Sequence, residues 1–115
     1  MTHSEHEIEA EIVSKGKVAP RLTPEHINSM IVSECSGRAS VLFSNVPHHP
    51  ALECLTIGVV VLKNGFTLVG TSACASPENF DAEIGHKIAI QNAREQIWQL
   101  EGYLLRSKLH EETVK

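Results

Sequence analysis

Two β-rich apolar runs separated by Asn64-Gly65 constrain the fold of this chain more than any other feature. LTIGVVVLK precedes the pair and FTLVGTSAC follows it. Asn-Gly favours the two positive φ angles of a type I′ turn. The sequence therefore predicts an antiparallel hairpin in which Lys63 lies opposite Phe66.

This register assigns the side chains of the hairpin to two faces, because successive residues of a strand point to opposite sides. One face is strongly apolar and is expected to meet the helices: Leu55, Ile57, Val59, Val61, Phe66, Leu68 and Cys74. The other is mixed: Cys54, Thr56, Gly58, Val60, Leu62, Thr67, Val69 and Thr71. Cys54 and Cys74 then lie on opposite faces and should not form a disulfide unless a bulge shifts the register.

Two helices are predicted around the hairpin. The first covers residues 23–35, where the Thr23 hydroxyl can cap the start and Pro24 fits the first helical position. The second covers residues 77–108 and follows Ser76, which can cap it.

Shorter elements are predicted before the hairpin. Residues 39–43 (ASVLF) are a candidate third strand. Near the N terminus, EHEIEAEIVSK has a weak helical stripe that Gly16 would end, and the first few residues are expected to be mobile.

Together these elements predict an α+β fold: an antiparallel β-hairpin, or a three-stranded sheet, packed against two or three helices, the long one C-terminal. With 115 residues the chain has room for one core. We expect a polar N-terminal segment over residues 1–18, a single domain over 19–110 and a tail over 111–115.

The long helix carries two apolar sectors when it is wound at about 100° per residue. The first is the predicted core stripe: Ala89, Ile90, Ala93, Ile97, Leu100 and Leu104. The second is the predicted interface of a homo-oligomer, a dimer or higher: Ile84, Ile88, Trp98, Gly102 and Leu105. The alternative is that the N-terminal segment of the same chain covers this second sector.

Composition excludes several classes of protein. Ten Lys and Arg against fourteen Asp and Glu give a net charge of −4, a poor basis for binding nucleic acid through its phosphates. No apolar run approaches the roughly 20 residues that span a bilayer, and the acidic N terminus does not resemble a signal peptide. Three cysteines without a CxxC pair predict reduced thiols in a cytoplasm.

No catalytic motif emerges from the residues. HExxH, GxSxG and phosphate-binding glycine loops are all missing, so we expect no catalytic residues, no metal ligands and no cofactor. Two clusters stay open to interpretation. Glu78, Asp81 and Glu83 fit either part of a magnesium site or acids that complement a helix dipole. The strip of Lys87, Gln91, Arg94 and Trp98 fits either a nucleotide-binding surface or a solvated flank.

Residues 55–106 contain a run of NGF, G, SAC, P-x-NFD-x-E-x-G-x-K-x-A, NA, IW and LEGYLL. In this run the chain resembles the gene-49/gene-66 family of small tailed-phage and prophage proteins, and more loosely so at APRLTPEHI. The resemblance implies phage or prophage origin and action in the cytoplasm of an infected bacterium, and it supplies no catalytic residues. Several polar members of the run are not explained by packing and, with a neighbouring arginine, form the predicted ligand-binding set: Asn79, Asp81, Lys87, Asn92 and Arg94.

The leading functional hypothesis is a non-enzymatic phage accessory protein that forms a homo-oligomer and binds a host or phage macromolecule, with no membrane or nucleic-acid partner expected. The alternative is a binder of a nucleotide or small signalling molecule at a subunit interface. A third hypothesis, a metal-assisted hydrolase, would use the acidic cluster.

Overall fold

The computed structural model describes residues 4–17 and 19–114. The chain divides into two compact units. We call residues 31–97 the sheet unit, and the described residues on either side of it the terminal unit. The predicted mobile start at residues 1–3 lies outside the described residues, and the domain limits at residues 18 and 110 stay predictions.

The terminal unit begins with helix α1 (Glu5–Ser14). Its start is a capping box, in which the Ser4 hydroxyl accepts from the Glu7 amide and the Ser4 amide donates to the Glu7 carboxylate. Gly16, at a φ of 68°, follows its last turn. The weak helix predicted in this stretch is therefore confirmed.

Helix α2 (Pro24–Ser29) begins where the sequence predicts, but it ends at Ser29, six residues before the predicted end at residue 35. Thr23 caps it by accepting a hydrogen bond from the His26 amide, 3.1 Å away. The predicted extension to residue 35 is wrong because the chain turns at Met30 and becomes strand. The β-branched pair that follows suits a strand at least as well as a helix.

The sheet unit contains a three-stranded antiparallel sheet, which confirms the predicted α+β fold. Strands β1 (Ile31–Arg38), β2 (Leu55–Leu62) and β3 (Thr67–Ala73) lie in the order β1-β2-β3. The prediction of a third strand at residues 39–43 is wrong, because that segment forms the short helix α3 (Ala39–Leu42) and β1 pairs with β2 instead.

The turn between β2 and β3 lies at the predicted place but is of another type. Only Gly65 has a positive φ, 87°, so Asn64 does not adopt the type I′ conformation. The Gly65 amide donates to Leu62 O at 2.8 Å, and the Leu62 amide donates to Phe66 O at 2.9 Å. The loop thus has three residues, and the predicted register is wrong by one residue: Leu62, not Lys63, lies opposite Phe66.

The faces of the sheet are therefore assigned differently from the prediction. The inner face packs against the long helix α4 (Ala82–Thr113) and contains the buried residues Thr56, Gly58, Val60, Leu62, Leu68 and Gly70. The predicted helix-facing set is wrong for its β2 members, since Leu55, Ile57, Val59 and Val61 lie on the opposite, outer face, and right for Leu68, which is buried on the inner face. Their strand neighbours there are Ser33, Cys35, Gly37, Thr67, Val69 and Thr71.

Close approach of backbones explains why α4 covers the glycine-bearing face. A Cβ atom on Gly70 would overlap with the backbone of Ala89 and Ala93, and one on Gly58 would lie 2.9 Å from the Ala89 Cβ. Only glycine leaves room for a helix this near to a sheet. Two glycines against two alanines fix where the helix crosses.

Helix α4 begins five residues later than predicted and also ends five residues later, at Thr113 instead of residue 108. Pro77–Asn79 form a separate 3-10 turn, and Ser76 makes no side-chain capping bond. Instead Asp81 caps the helix by accepting from the Ile84 amide at 3.0 Å. The predicted cap at Ser76 is therefore wrong.

Most of the predicted core stripe of α4 is confirmed. Its first four members are buried: Ala89, Ile90, Ala93 and Ile97. Leu100 and Leu104 are exposed, so the prediction is wrong for those two. In that part of the helix Glu101 is buried instead, with its carboxylate 2.8 Å from His26 Nε2.

Candidate functional site

A cavity of about 180 Å³ lies in the sheet unit, where β2 begins, β3 ends and α4 starts. It brings together cysteine, amide, carboxylate and apolar side chains. Its lining consists of Cys54, Thr56, Ser72, Ala73, Cys74, Asn79, Phe80, Asp81, Ile84, Gly85 and Ile88. We call it the cysteine cavity.

Two thiols face each other in this cavity. The Cys74 amide donates to Cys54 O at 3.0 Å, and the Cys74 thiol lies 3.5 Å from the same oxygen. The prediction that Cys54 and Cys74 lie on opposite faces is wrong, because the three-residue loop shifts the register and makes them direct partners. Both are free thiols.

Partial burial raises the pKa of the Cys54 thiol, and a hydrogen bond with the Cys74 thiol raises it further. The charge of Arg38 opposes these effects more weakly. A thiol with a raised pKa carries less thiolate at neutral pH and is a poor nucleophile. The nearby Arg38 charge is therefore too weak an influence to activate Cys54 as a nucleophile at neutral pH.

Asn79 and Asp81 reach the cavity from the segment that precedes α4. Asn79 closes the 3-10 turn, its amide donating to Ser76 O at 3.0 Å. Between the two residues lies Phe80, whose ring is 3.9 Å from the Arg38 guanidinium carbon, a cation–π contact. The structure thus brings together two of the five predicted ligand-binding residues.

The other three predicted ligand-binding residues do not line the cysteine cavity. Lys87 pairs with Glu83 at 3.4 Å on the exposed surface of α4. Asn92 donates through its side chain to Thr71 O at 2.8 Å, which ties α4 to β3. Arg94 lies half-buried further along the helix.

The predicted oligomer-interface residues divide between the two units. Ile84 and Ile88 line the cysteine cavity and remain 56% and 42% exposed. In the terminal unit Trp98, Gly102 and Leu105 are half-buried. Leu22 lies 3.8 Å from where a Cβ on Gly102 would stand.

A second polar cluster joins β1 to α4. Ser36 Oγ lies 2.6 Å from His86 Nδ1, and His86 Nε2 lies 3.6 Å from the Glu34 carboxylate. Serine, histidine and acid in this order are the components of a hydrolytic triad. Here His86 and Glu34 are 38% and 47% exposed, so water competes for every bond. The sequence contains no signal for the cluster, since His86 lies 50 residues from Ser36 and no motif connects them.

The terminal unit has its own polar contacts. Arg21 binds the Glu9 carboxylate, and this bond raises the pKa of the guanidinium. A shallow cavity of about 320 Å³ lies beside the His26–Glu101 pair. It is lined by Arg21, Leu22, His26, Glu101, Leu104, Leu105 and Lys108.

In the described part of the chain, no three His, Cys, Asp or Glu side chains stand close enough together to hold a metal ion. Two of the three acids that fitted either a magnesium site or a helix dipole have other partners: Asp81 caps α4 and Glu83 pairs with Lys87. Within residues 4–17 and 19–114, no helix is both long and apolar enough to cross a membrane.

A three-stranded sheet with one face against a helix, and with a small cavity at its end, defines a small α+β protein. Comparison gives the family: residues 22–109 match the model of the Phage protein (N4 Gp49/phage Sf6 gene 66) family. The chain belongs to this family of phage proteins. Neither a curated protein nor a solved structure was found to match it.

Proposed function

We propose that this phage protein acts without catalysis in the bacterial cytoplasm, associates with itself and binds a host or phage macromolecule. The observation that carries the proposal is the outer face of the sheet. Its eleven paired positions on the three strands include no charged residue: Ser33, Cys35, Gly37, Leu55, Ile57, Val59, Val61, Thr67, Val69, Thr71 and Ala73.

An antiparallel sheet with one solvated face normally alternates apolar and polar residues along each strand. The central strand β2 does not follow this rule, because Val59 and Val61 point outward while Val60 and Leu62 are buried inward. Beside them Val69 is 53% exposed. An apolar, uncharged patch of this kind is typical of a protein-binding surface.

The exposed isoleucines of α4 support the same proposal. Ile84 and Ile88 leave apolar surface in contact with water at the mouth of the cysteine cavity. Removing such surface from water stabilises a complex by about 25 cal/mol per Å² before the costs of association are subtracted.

The experiment compares tagged wild-type protein with Val69→Glu in pull-downs from phage-infected cells, followed by native mass spectrometry. Val69→Glu places a charge in the middle of the outer face. Gln91→Glu is the matched control, because it adds the same charge at an exposed position on α4. We expect wild type and Gln91→Glu to retain the same partner and Val69→Glu to lose it.

Retention of the partner by Val69→Glu would show that the outer face is not the binding surface. A strictly monomeric wild-type protein at the highest attainable concentration would disprove self-association. Turnover of a substrate by the purified protein would disprove the absence of catalysis.

A second candidate function, binding of a small signalling molecule at a subunit interface, is supported by the presence of Asn79 and Asp81 together in the cysteine cavity. The cavity of one chain, at about 180 Å³, is below the roughly 300 Å³ typical of ligand pockets. A nucleotide would therefore need walls from a second copy. Thermal-shift screening with nucleotides tests this, since a bound ligand raises the melting temperature, and no shift with any nucleotide would refute it.

A further inference from the structure

The two edge strands of the sheet differ in whether the backbone groups that point away from β2 already have hydrogen-bond partners. In β3 the carbonyls of Val69 and Thr71 point away from β2, as the hydrogen-bonded pairing of Leu62 with Phe66 dictates. Side-chain amides from α4 bind both of them: Gln96 donates to Val69 O and Asn92 to Thr71 O, each at 2.8 Å. The helix thus occupies acceptors that another strand would need.

The other edge belongs to β1. Because odd-numbered residues of β2 bond towards β1, the backbone amides of Glu34, Ser36 and Arg38 point outward. All residues from Val32 to Ser36 are exposed, so this length of the strand is accessible to a partner. An accessible strand edge is a template for pairing with another chain.

We propose that β1 pairs antiparallel with β1 of a second copy, about a two-fold axis at Ser36. This inference rests on the self-association proposed above and names the surface that mediates it. The pairing sets Ser36 opposite its own counterpart and Glu34 opposite Arg38 of the other chain. Two ion pairs, each between Glu34 of one chain and Arg38 of the other, then flank the axis. The two three-stranded sheets join into a single six-stranded sheet.

Charge selects this register among the alternatives. Outward-pointing groups meet outward-pointing groups whichever residue of β1 lies on the axis, because even-numbered residues then face even-numbered ones. An axis at Cys35 or Gly37 would set Glu34 opposite Ser36 or Ser40, without an ion pair. An axis at Glu34 would set two carboxylates directly opposite each other, which destabilises a strand pair. At Arg38 the axis would coincide with the start of α3, where the strand ends. Ser36 is the position that joins opposite charges.

The decisive substitution is Ser36→Pro, with Ser36→Ala as its control. Proline removes an amide that points outward and makes no bond to β2, while alanine removes only the hydroxyl bonded to His86. We expect Ser36→Ala to dimerise like wild type in sedimentation equilibrium, and Ser36→Pro to weaken the dimer at least about tenfold, the effect of losing backbone hydrogen bonds at the axis.

Hydrogen exchange gives an independent measurement on the wild-type protein. The outward amides of Glu34, Ser36 and Arg38 should exchange more slowly as protein concentration rises, while the exposed amides of the turn at Asn64 should not change. Unchanged exchange at all three positions in a demonstrable dimer would overturn strand pairing.

Charge reversal provides a variant that leaves the backbone intact. Glu34→Lys would face Arg38 across the axis and should dissociate the dimer, whereas Glu95→Lys, an equal charge change at an exposed position of α4, should not. If Ser36→Pro fails to fold, the comparison of Glu34→Lys with Glu95→Lys still tests whether the dimer forms through β1. A folded Ser36→Pro or Glu34→Lys that still dimerises would refute pairing through β1 and leave self-association intact, whereas a monomeric wild type would refute both.

Discussion

At the scale of single residues, Gly70 has the strictest steric requirement. A side chain there would overlap with the backbone of α4 at Ala89 and Ala93, which cannot move without displacing the helix. Gly102, on the same helix, has Leu22 at 3.8 Å as its near neighbour, an ordinary contact distance. The two glycines should therefore respond oppositely to the same substitution.

We expect Gly70→Ala to lower the free energy of unfolding by about 3 kcal/mol, the upper part of the range for overpacking. Gly102→Ala should raise it by up to about 1 kcal/mol, because alanine is the better helix former. Urea unfolding followed by circular dichroism measures both. A neutral Gly70→Ala would mean that α4 does not cross the sheet at this glycine.

Two of the three thiols, those of Cys35 and Cys54, should differ in reactivity because their surroundings differ. Cys35 is exposed on the outer face, whereas burial and the neighbouring Cys74 thiol raise the pKa of Cys54. A raised pKa lowers the thiolate fraction at neutral pH and shifts alkylation to higher pH.

Iodoacetamide at neutral pH should therefore modify Cys35 first and Cys54 later, and the rate at Cys54 should rise through a more alkaline range. Peptide mass spectrometry over a pH series measures both rates, with Cys35→Ser as the control for assignment. Equal rates at the two positions would contradict the raised pKa.

At the scale of elements, the start of α4 offers a matched pair of substitutions. Asp81→Ala removes the acceptor for the Ile84 amide and should cost about 1 kcal/mol of stability. Ser76→Ala removes a hydroxyl that makes no capping bond and should change stability by less than about 0.5 kcal/mol. Thermal unfolding distinguishes them; a larger effect at Ser76 would place the cap where the sequence alone suggested.

Local sequence identified several elements but not the pairing between them. Thr23-Pro24 and Asn64-Gly65 correctly locate a helix start and a turn because their chemistry is local. Asn-Gly nevertheless suits more than one turn type, and the choice of a three-residue loop moves every facing position by one. The same shift places Cys54 opposite Cys74. The pair of thiols in the cysteine cavity could therefore not be predicted without the correct strand register.

The strand β1 shows a second reason why local sequence does not determine every element. Ile31 continues the apolar spacing of α2, so a helical pattern and a strand compete over the same residues. The competition is decided by β2, whose outward hydrogen-bonding groups need a partner strand. Similarly, nothing in the spacing of Ser36 and His86 indicates that they meet, because the contact depends on where α4 crosses the sheet.

At the scale of the whole molecule, charge is unevenly distributed. The chain has a net charge of −4, yet the outer face of the sheet contains no charged side chain. Contacts made by this face depend on burial of apolar surface rather than on Coulomb attraction, and salt does not screen them.

Capture of the proposed macromolecular partner should consequently persist, or strengthen, when ionic strength is raised from low to high. Binding assays at several salt concentrations test this, with Val69→Glu as the control for the face. A steep loss of affinity with salt is the behaviour of phosphate contacts and would indicate a nucleic-acid partner instead.

The two amides that α4 places on β3 also bear on how far strand pairing can extend. A sheet with two available edges can add copies at both ends without limit, which is how cross-β fibrils grow. In this molecule Asn92 and Gln96 occupy one end. In the proposed dimer each β1 is buried against its counterpart, and both remaining edges carry these side-chain amides, so growth into a filament is disfavoured and the assembly would stop at two chains.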